Sequence, residues 1–153
     1  MSYTIEVSED NSRRLKVNSS PIHNKGVFVR DKISTGTIIA EYLGKHLSGK
    51  DADILENQDY LFILSDEEGA SEYIDGNPQK YPENIAGYIN HSCSPNLECV
   101  FDYTGERVFF VSLRDIKLGE ELTYDYWYPH FGEYTPCNCG SESCRGHIEG
   151  DPS

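Results

Sequence analysis

The chain has 153 residues, which is enough for one domain with its own hydrophobic core. Its 26 acidic and 13 basic side chains give a formal charge of −13, which argues against direct nucleic-acid binding because phosphate contacts need a basic face. No apolar run reaches the length of a membrane span, and residues 1–10 lack the basic and apolar regions of a signal peptide. We therefore expect an intracellular protein, in the nucleus or the cytoplasm, without membrane contact.

Short β-strands separated by glycine-containing turns are the main predicted elements. Alternating and β-branched runs predict strands at residues 3–7, 15–17, 27–29, 37–43, 60–64, 73–74, 97–103 and 107–113. The last two are expected to form a hairpin around Thr104-Gly105. A short helix is predicted at residues 48–58, since Ser48 and Asp51 resemble a capping box. The pattern indicates a mainly β domain with few short helices.

The negative charge is concentrated in one stretch. Residues 51–75 contain nine acidic side chains and no lysine or arginine. Such a field attracts a basic peptide, with a strength that salt reduces. The competing interpretation is that these side chains only keep the domain soluble.

The five cysteines do not suggest a disulfide framework, because their number is odd and no signal peptide precedes them. Cys137, Cys139 and Cys144 lie within eight residues in a glycine-containing loop. A structural zinc ion takes four sulfur or nitrogen ligands, and this spacing favours zinc over free thiols. From spacing alone the fourth ligand could be Cys93, Cys99, His130 or His147. Residues 127–153 have almost no aliphatic content, so a metal or cross-link would be needed to order them.

Two motifs carry a resemblance to a known family. The first is Asn90-His91-Ser92-Cys93 followed by Pro95-Asn96, and the second is Gly119-Glu120-Glu121-Leu122 followed by Tyr124-Asp125-Tyr126. Together they resemble the catalytic core of the SET-domain protein lysine methyltransferases, and the likeness covers about residues 21–146. The resemblance implies a SET fold, in which small β-sheets surround a threaded, pseudoknot-like C-terminal segment.

The implied reaction moves a methyl group from S-adenosylmethionine to a lysine ε-amine of a basic peptide, with a histone tail as the expected substrate. The amine must be neutral, and with a pKa near 10.4 this costs roughly 3 kcal/mol at about pH 8. A dry channel near a positive sulfonium reduces that cost. By resemblance, Tyr126 orients the amine, Tyr124 limits the product to one or two methyl groups, and Tyr42 and Tyr60 line the channel. Without the two motifs, these tyrosines would indicate no more than half-buried strands.

The resemblance also implies the cofactor contacts. Asn90 and His91 match residues that bind the methionine and adenine ends, and Tyr126 stabilises charge at the transfer centre. Ile148 is expected to pack on the adenine. The turn Lys25-Gly26-Val27-Phe28 resembles one in which glycine lets the backbone approach the cofactor.

For the metal, the resemblance implies a zinc ion held by Cys93, Cys137, Cys139 and Cys144, with Cys99 left as a small buried residue. It divides the chain into an N-terminal arm at 1–20, a SET domain at 21–127 and a post-SET zinc segment at 128–153.

Two positions depart from the family pattern. Asn24 and Lys25 precede Gly26 where the family has an earlier glycine, and asparagine tolerates the left-handed backbone that the turn needs. Gly87 stands where the family usually has an arginine, which would be expected to pair with a carboxylate such as Glu121 or that of the cofactor. A catalytically inert, zinc-stabilised module that binds a basic peptide is the rival hypothesis. Methylation of a protein other than a histone is a second one.

Overall fold

The structure, a computed structural model, describes residues 11–65, 71–126 and 133–150. After a 3₁₀ helix at Asn11–Arg14 come β1 (Leu15–Ser19), β2 (Lys25–Val29), β3 (Ile38–Glu41), β4 (Lys45–Ser48), α1 (Gly49–Asp53), β5 (Leu61–Ser65), β6 (Glu72–Asp75), a 3₁₀ helix at Ile85–Tyr88, β7 (Asn90–His91), β8 (Leu97–Phe101), β9 (Val108–Ser112) and β10 (Thr123–Tyr124). The prediction of a mainly β domain with few short helices is confirmed. The predicted strand at 3–7 lies outside the described residues.

The strands form four small sheets: β1 with β2, β7 with β10, β3-β9-β8 and β4-β6-β5. The predicted hairpin is confirmed, because β8 and β9 are antiparallel and pair Leu97 with Ser112 and Phe101 with Val108. Its connection contains Gly105 with φ of 73°, a left-handed conformation that glycine adopts at little cost. Each sheet is too small to be stable alone, so the sheets depend on a shared core.

The shared core lies between the sheets. Its most buried strand is β9, which is the middle strand of its sheet and whose Val108, Phe109 and Phe110 are fully buried. Val27 and Val29 of β2 are also fully buried. Burying such a side chain contributes roughly 1.5–3 kcal/mol. The first sequence motif enters this core through Ile89, which precedes it, and the second through its own Leu122.

The predicted helix is present but shorter than expected. Ser48 caps it as predicted, since its hydroxyl oxygen accepts from the backbone N–H of Asp51 at 3.3 Å. It ends at Asp53 because the side-chain amide of Gln58 donates to the carbonyls of Ala52 and Asp53, at 3.2 and 3.3 Å. Those bonds satisfy helix-end carbonyls that a longer helix would have paired internally. No described helix is long and apolar enough to cross a bilayer.

Residues 133–150 form a closed loop. An antiparallel bridge between Pro136 and His147 closes it, through Cys137 N to Gly146 O at 3.1 Å and Ile148 N to Thr135 O at 3.0 Å. The buried carboxylate of Glu149 accepts from both the backbone N–H and the hydroxyl of Thr135. The division of the chain at residues 20 and 127 stays a prediction.

The smallest sheet brings the two sequence motifs together. β7 and β10 are parallel, and Asn90 pairs with Thr123 and His91 with Tyr124. The buried side chain of Asn96 extends this pairing. Its amide donates to the carbonyl of Glu121 at 2.9 Å, and its oxygen accepts from the N–H of Thr123 at 2.9 Å.

Replacing Asn96 with alanine should lower the free energy of unfolding by about 3 kcal/mol, because two buried backbone groups lose their hydrogen-bond partners. Denaturant unfolding measures this. The control is Asn18→Ala, at an exposed residue whose side chain accepts one bond from Ser19 N, and it should cost no more than about 0.5 kcal/mol. Equal losses in the two variants would contradict a special role for Asn96.

Candidate active site and metal centre

A cluster of aromatic rings lies beside the β7–β10 pair. The ring centroids of Tyr124 and Tyr126 are 4.6 Å apart, and Tyr124 is 4.7 Å from Phe110 and 6.4 Å from Phe62. Tyr42 joins through Phe62, at 5.1 Å. Such ring pairs add stability beyond their buried area. The structure therefore brings three of the four predicted tyrosines into one cluster.

Phe62 and Phe110 connect these tyrosines, and the sequence analysis did not single them out. Phe62 could have been found, because it lies two residues after Tyr60 and side chains two apart share a strand face. Phe110 could not, since it carries no chemical group that separates it from other core residues of β9.

Two tyrosine hydroxyls are held by the backbone. The hydroxyl of Tyr126 donates to the carbonyl of Ile89 at 2.6 Å, and that of Tyr42 donates to the carbonyl of Tyr60 at 2.6 Å. A hydroxyl whose proton is engaged in this way can only accept from a further partner. Burial raises the pKa of Tyr60, and Tyr88 and Asp59 act in the same direction, so its phenol is protonated at neutral pH. The tyrosines thus offer oxygen acceptors next to a dry ring surface.

His91 links the tyrosine cluster to the cysteines. Its Nδ1 accepts from the backbone N–H of Tyr126 at 3.1 Å, and its ring packs edge-on against the Tyr126 ring at 5.3 Å. Burial lowers the pKa of His91, although Asp125 opposes this effect. The ring is therefore neutral with its proton on Nε2, which lies 3.5 Å from Cys93 Sγ. For the same reason, the 3.6 Å approach of Asp125 to Nδ1 is not an ion pair.

The amide of Asn90 is almost fully buried, with 7% of the residue exposed. Its Nδ2 faces four acceptors: Ser20 Oγ at 3.1 Å, His23 O at 3.2 Å, Lys25 O at 2.9 Å and Glu121 Oε2 at 3.0 Å. Because all four accept, they determine which end of the amide is nitrogen. Within the described parts of the chain, no side-chain or backbone donor bonds to Oδ1 of Asn90. A buried oxygen in this position fits an incoming donor such as an ammonium group.

The turn before β2 has the expected backbone. Asn24 adopts a positive φ of 34°, so the prediction of a left-handed asparagine is confirmed. Gly26 is buried, and a Cβ added there would lie 2.7 Å from Oε2 of Glu121. In the structure, glycine at 26 therefore makes room for the carboxylate of Glu121.

The other predicted cofactor residues differ in exposure. Lys25 is exposed, with Nζ 5.8 Å from the centroid of the Tyr88 ring. The side chain of Val27 is fully buried in the core, whereas Phe28 and Ile148 are half-buried. Their roles in cofactor binding stay predictions.

The four predicted metal ligands converge. The Sγ atoms of Cys93, Cys137, Cys139 and Cys144 all lie within 4.8 Å of one another. Cys93 Sγ is 3.9 Å from Cys137 Sγ and 4.0 Å from Cys144 Sγ. Tetrahedral zinc with Zn–S bonds of about 2.3 Å places its sulfurs ~3.8 Å apart, so this cluster fits the ion.

Of the three alternative fourth ligands, Cys99 and His147 do not lie in this cluster. His147 directs Nδ1 to the carbonyl of Glu149 at 2.8 Å and packs on Tyr134, with ring centroids 4.2 Å apart. Burial raises the pKa of Cys99 to about 12, as expected for an unreactive thiol in a strand. His130 lies outside the described residues.

The thiols prefer different charge states. Burial raises the pKa of Cys93, and it raises that of Cys137 to about 12. Burial would also raise the pKa of Cys139, but hydrogen bonds involving the Cys93 and Ser141 backbone outweigh it and lower that pKa to about 5. Crowded thiolates repel one another, so a divalent cation is needed to hold all four deprotonated.

A partly buried ion pair connects the metal loop, residues 133–150, to the second sequence motif. Arg145 follows Cys144 and donates to both oxygens of Asp125, at 2.8 and 3.0 Å. Its Nε also donates to the carbonyl of Glu149 at 2.9 Å, and its backbone N–H donates to Cys93 Sγ at 3.5 Å. Asp125 separates Tyr124 from Tyr126, so this two-bond contact connects the metal loop directly to the tyrosines. The sequence analysis missed the pair, although an arginine beside a metal ligand is a signal that could have indicated it.

A strand pair of this kind, joined to a tyrosine cluster and a four-cysteine centre, is characteristic of one class of domain. The SET domain family model matches residues 24–127. The chain therefore belongs to the SET-domain family, as its two motifs predicted.

Relatives of known name align with most of the chain. It is 33% identical over 146 residues to the "Histone-lysine N-methyltransferase, H3 lysine-4 specific" of Schizosaccharomyces pombe, covering 89% of this chain and 15% of that protein. It is 32% identical over 152 residues to the "Histone-lysine N-methyltransferase set1" of Dictyostelium discoideum, covering 93% and 10%. It is 36% identical over 129 residues to the "Histone-lysine N-methyltransferase EHMT1" of Mus musculus, covering 78% and 10%. The chain thus spans no more than 15% of the length of these relatives.

The metal centre should hold about one zinc ion per chain, measurable by mass spectrometry of the purified protein. Cys137→Ser should lose the metal, because it removes one of four ligands. Strong chelator should likewise expose residues after 126 to protease and abolish activity. Cys99→Ala is the matched control and should keep its metal. Unchanged proteolysis and activity in chelator would count against a structural zinc site.

Proposed function

We propose that this chain is an S-adenosylmethionine-dependent protein lysine N-methyltransferase that acts on a basic peptide. We infer a histone tail as its substrate, one or two methyl groups as its product, and the nucleus or the cytoplasm as its location. The observation that carries the proposal is the position of Tyr126. Its hydroxyl is held by Ile89 and its backbone by His91, and its ring lies against Tyr124, in a domain whose relatives are named histone-lysine N-methyltransferases.

The bound cofactor would supply an electrophilic methyl group on a positive sulfonium. Asn90 suits the ammonium at its methionine end, because the buried Oδ1 is an acceptor without a donor among the described residues. A carboxylate lies on the other side of the same amide, 3.0 Å from Nδ2. These features favour a cationic ligand.

The protein's side chains keep the lysine amine neutral and hold it in one orientation for the reaction. Phe110 is fully buried, Tyr124 is nearly so, and Phe62 packs against both, so the rings beside Tyr126 exclude water, which disfavours the ammonium form. The Tyr126 hydroxyl donates its proton to Ile89 O, so its oxygen accepts an N–H from the amine. An amine that donates to this oxygen has its lone pair directed away from it, toward the methyl donor.

The exposed acidic side chains of residues 51–75 favour a basic substrate, although one of the nine predicted there is buried. Asp51, Asp53, Glu56, Asp59 and Glu72 are exposed as expected. Asp75 is buried and pairs with Lys80 at 3.3 Å, so it does not belong to the exposed field. Asp66, Glu67 and Glu68 lie outside the described residues. Exposed carboxylates attract a lysine- and arginine-rich peptide from a distance.

Incubation with methyl-labelled S-adenosylmethionine and core histones should label a histone. Tyr126→Phe should lose about 100-fold or more of this activity, because an oriented acceptor at the transfer centre is removed. Tyr103→Phe makes the same chemical change at a residue that is 96% exposed, and it should retain full activity. Cofactor binding without histone labelling would indicate another protein substrate. Failure to bind the cofactor would favour the inert module.

Tyr124→Phe should shift the product toward trimethyl-lysine, since losing the hydroxyl makes space around the amine. Mass spectrometry of a methylated peptide measures the distribution. Trimethyl product from the unmodified protein would disprove the assigned role of Tyr124.

A further inference from the structure

Position 87 has no room for a side chain. A Cβ on Gly87 would lie 2.7 Å from Cγ of Pro78, 2.9 Å from the carbonyl oxygen of Gly76 and 3.1 Å from Nδ2 of Asn84. Asn84 is fully buried and holds this region together, since it accepts from Leu43 N at 2.9 Å and donates to Gly76 O at 2.7 Å. Packing therefore excludes the arginine that the family resemblance led us to expect here.

The carboxylate of Glu121 is held by neutral groups instead. Ser20 Oγ lies 2.7 Å from its Oε1 and 2.9 Å from its Oε2, and Asn90 Nδ2 lies 3.0 Å from Oε2. In the described ranges 11–65, 71–126 and 133–150, Glu121 makes no ion pair. Backbone pairing fixes its place, because Phe28 and Glu121 form an antiparallel bridge and Leu122 N donates to Val27 O at 2.8 Å.

The donors in this network are all in use. The Asn90 amide has two hydrogens and the Ser20 hydroxyl has one. These three face the two oxygens of Glu121 and the carbonyls of His23 and Lys25. No donor is spare, so the Ser20 hydroxyl cannot be removed without leaving a partly buried acceptor unpaired.

We propose that Ser20 and Glu121 are positioning residues for cofactor binding, in place of the arginine that Gly87 excludes. Ser20 holds the Glu121 carboxylate, and both hold Nδ2 of Asn90. Because Nδ2 is fixed on this side, Oδ1 is fixed on the opposite side, where we place the ammonium of the cofactor. The inference rests on the proposed function, since the cofactor in question is S-adenosylmethionine.

Calorimetric titration of S-adenosylmethionine into the folded protein tests this directly. Ser20→Ala should weaken binding about tenfold, the typical effect of losing a hydrogen bond to a charged group. Ser20→Thr keeps the hydroxyl and should stay within about threefold. Ser19→Ala alters the exposed neighbouring residue, which ends β1, and should bind like the unmodified protein. Melting temperatures without cofactor should differ by only a few degrees, showing that Ser20→Ala is folded.

A double-mutant cycle shows whether the two residues act as one unit. Glu121→Gln should also weaken binding, and adding Ser20→Ala to it should cause a smaller further loss than Ser20→Ala causes alone, because the hydroxyl then keeps its contact with Nδ2 of Asn90 but has no carboxylate to hold. Losses that multiply would overturn the proposed coupling. Equal binding by Ser20→Ala and the unmodified protein would overturn the inference while leaving the proposed function intact. No binding by the unmodified protein would overturn both.

Gly87→Arg provides an independent test. We expect a lower melting temperature and no gain in cofactor affinity, because the new side chain must displace Pro78 or the Gly76 backbone. A stable Gly87→Arg variant that binds the cofactor more tightly would show that Glu121 still needs a cation, and it would overturn the inference.

Discussion

The parallel pairing of β7 with β10 is the constraint on which the rest of the site depends. The pair contains two residues from each strand, and it sets Asn90 and His91 beside the segment that carries Tyr124 and Tyr126. So short a pairing is not stable alone. It persists because Ile89 and Leu122 anchor the strands in the core and because the Asn96 side chain supplies two further bonds across them. The chemistry of the site is therefore a consequence of packing elsewhere.

The cysteine centre extends this constraint to the C-terminal segment. Cys93 follows β7 by two residues, so one short segment carries both a candidate cofactor contact and a metal ligand. Two contacts then lead from the metal loop back to the tyrosines. One runs from Cys93 through His91 to the backbone of Tyr126, and the other from Arg145 to Asp125. A metal that orders the loop also restricts the residues around the transfer centre, although its chemistry is structural.

Local sequence patterns predicted the features that local forces determine. The β8–β9 hairpin followed from alternating residues around Thr104-Gly105, and the Ser48 cap followed from the spacing to Asp51. Three thiol ligands were evident from their spacing, but the fourth needed the family resemblance. The helix was overestimated because nothing in its periodicity shows that the Gln58 side chain takes up its terminal carbonyls. The helix prediction failed where a side chain bonds to carbonyls at the helix end, and the fourth ligand could not be found because Cys93 is distant in the sequence from the other three cysteines of the cluster.

The Ser20–Glu121 contact shows most clearly what local sequence patterns cannot predict. It joins residues 101 positions apart, and neither residue belongs to a contact pair that is recognisable in the sequence. Comparison with the family pattern indicates that the site has lost a cation, because Gly87 stands in place of an arginine. The structure shows a different exchange, in which Gly26 makes room for a carboxylate and a serine hydroxyl holds it without neutralising it. An arginine would have cancelled the charge of Glu121, whereas a hydroxyl leaves it in place. A cationic cofactor bound on the far side of Asn90, as we propose, would then feel one more negative charge than it would in a site with the arginine.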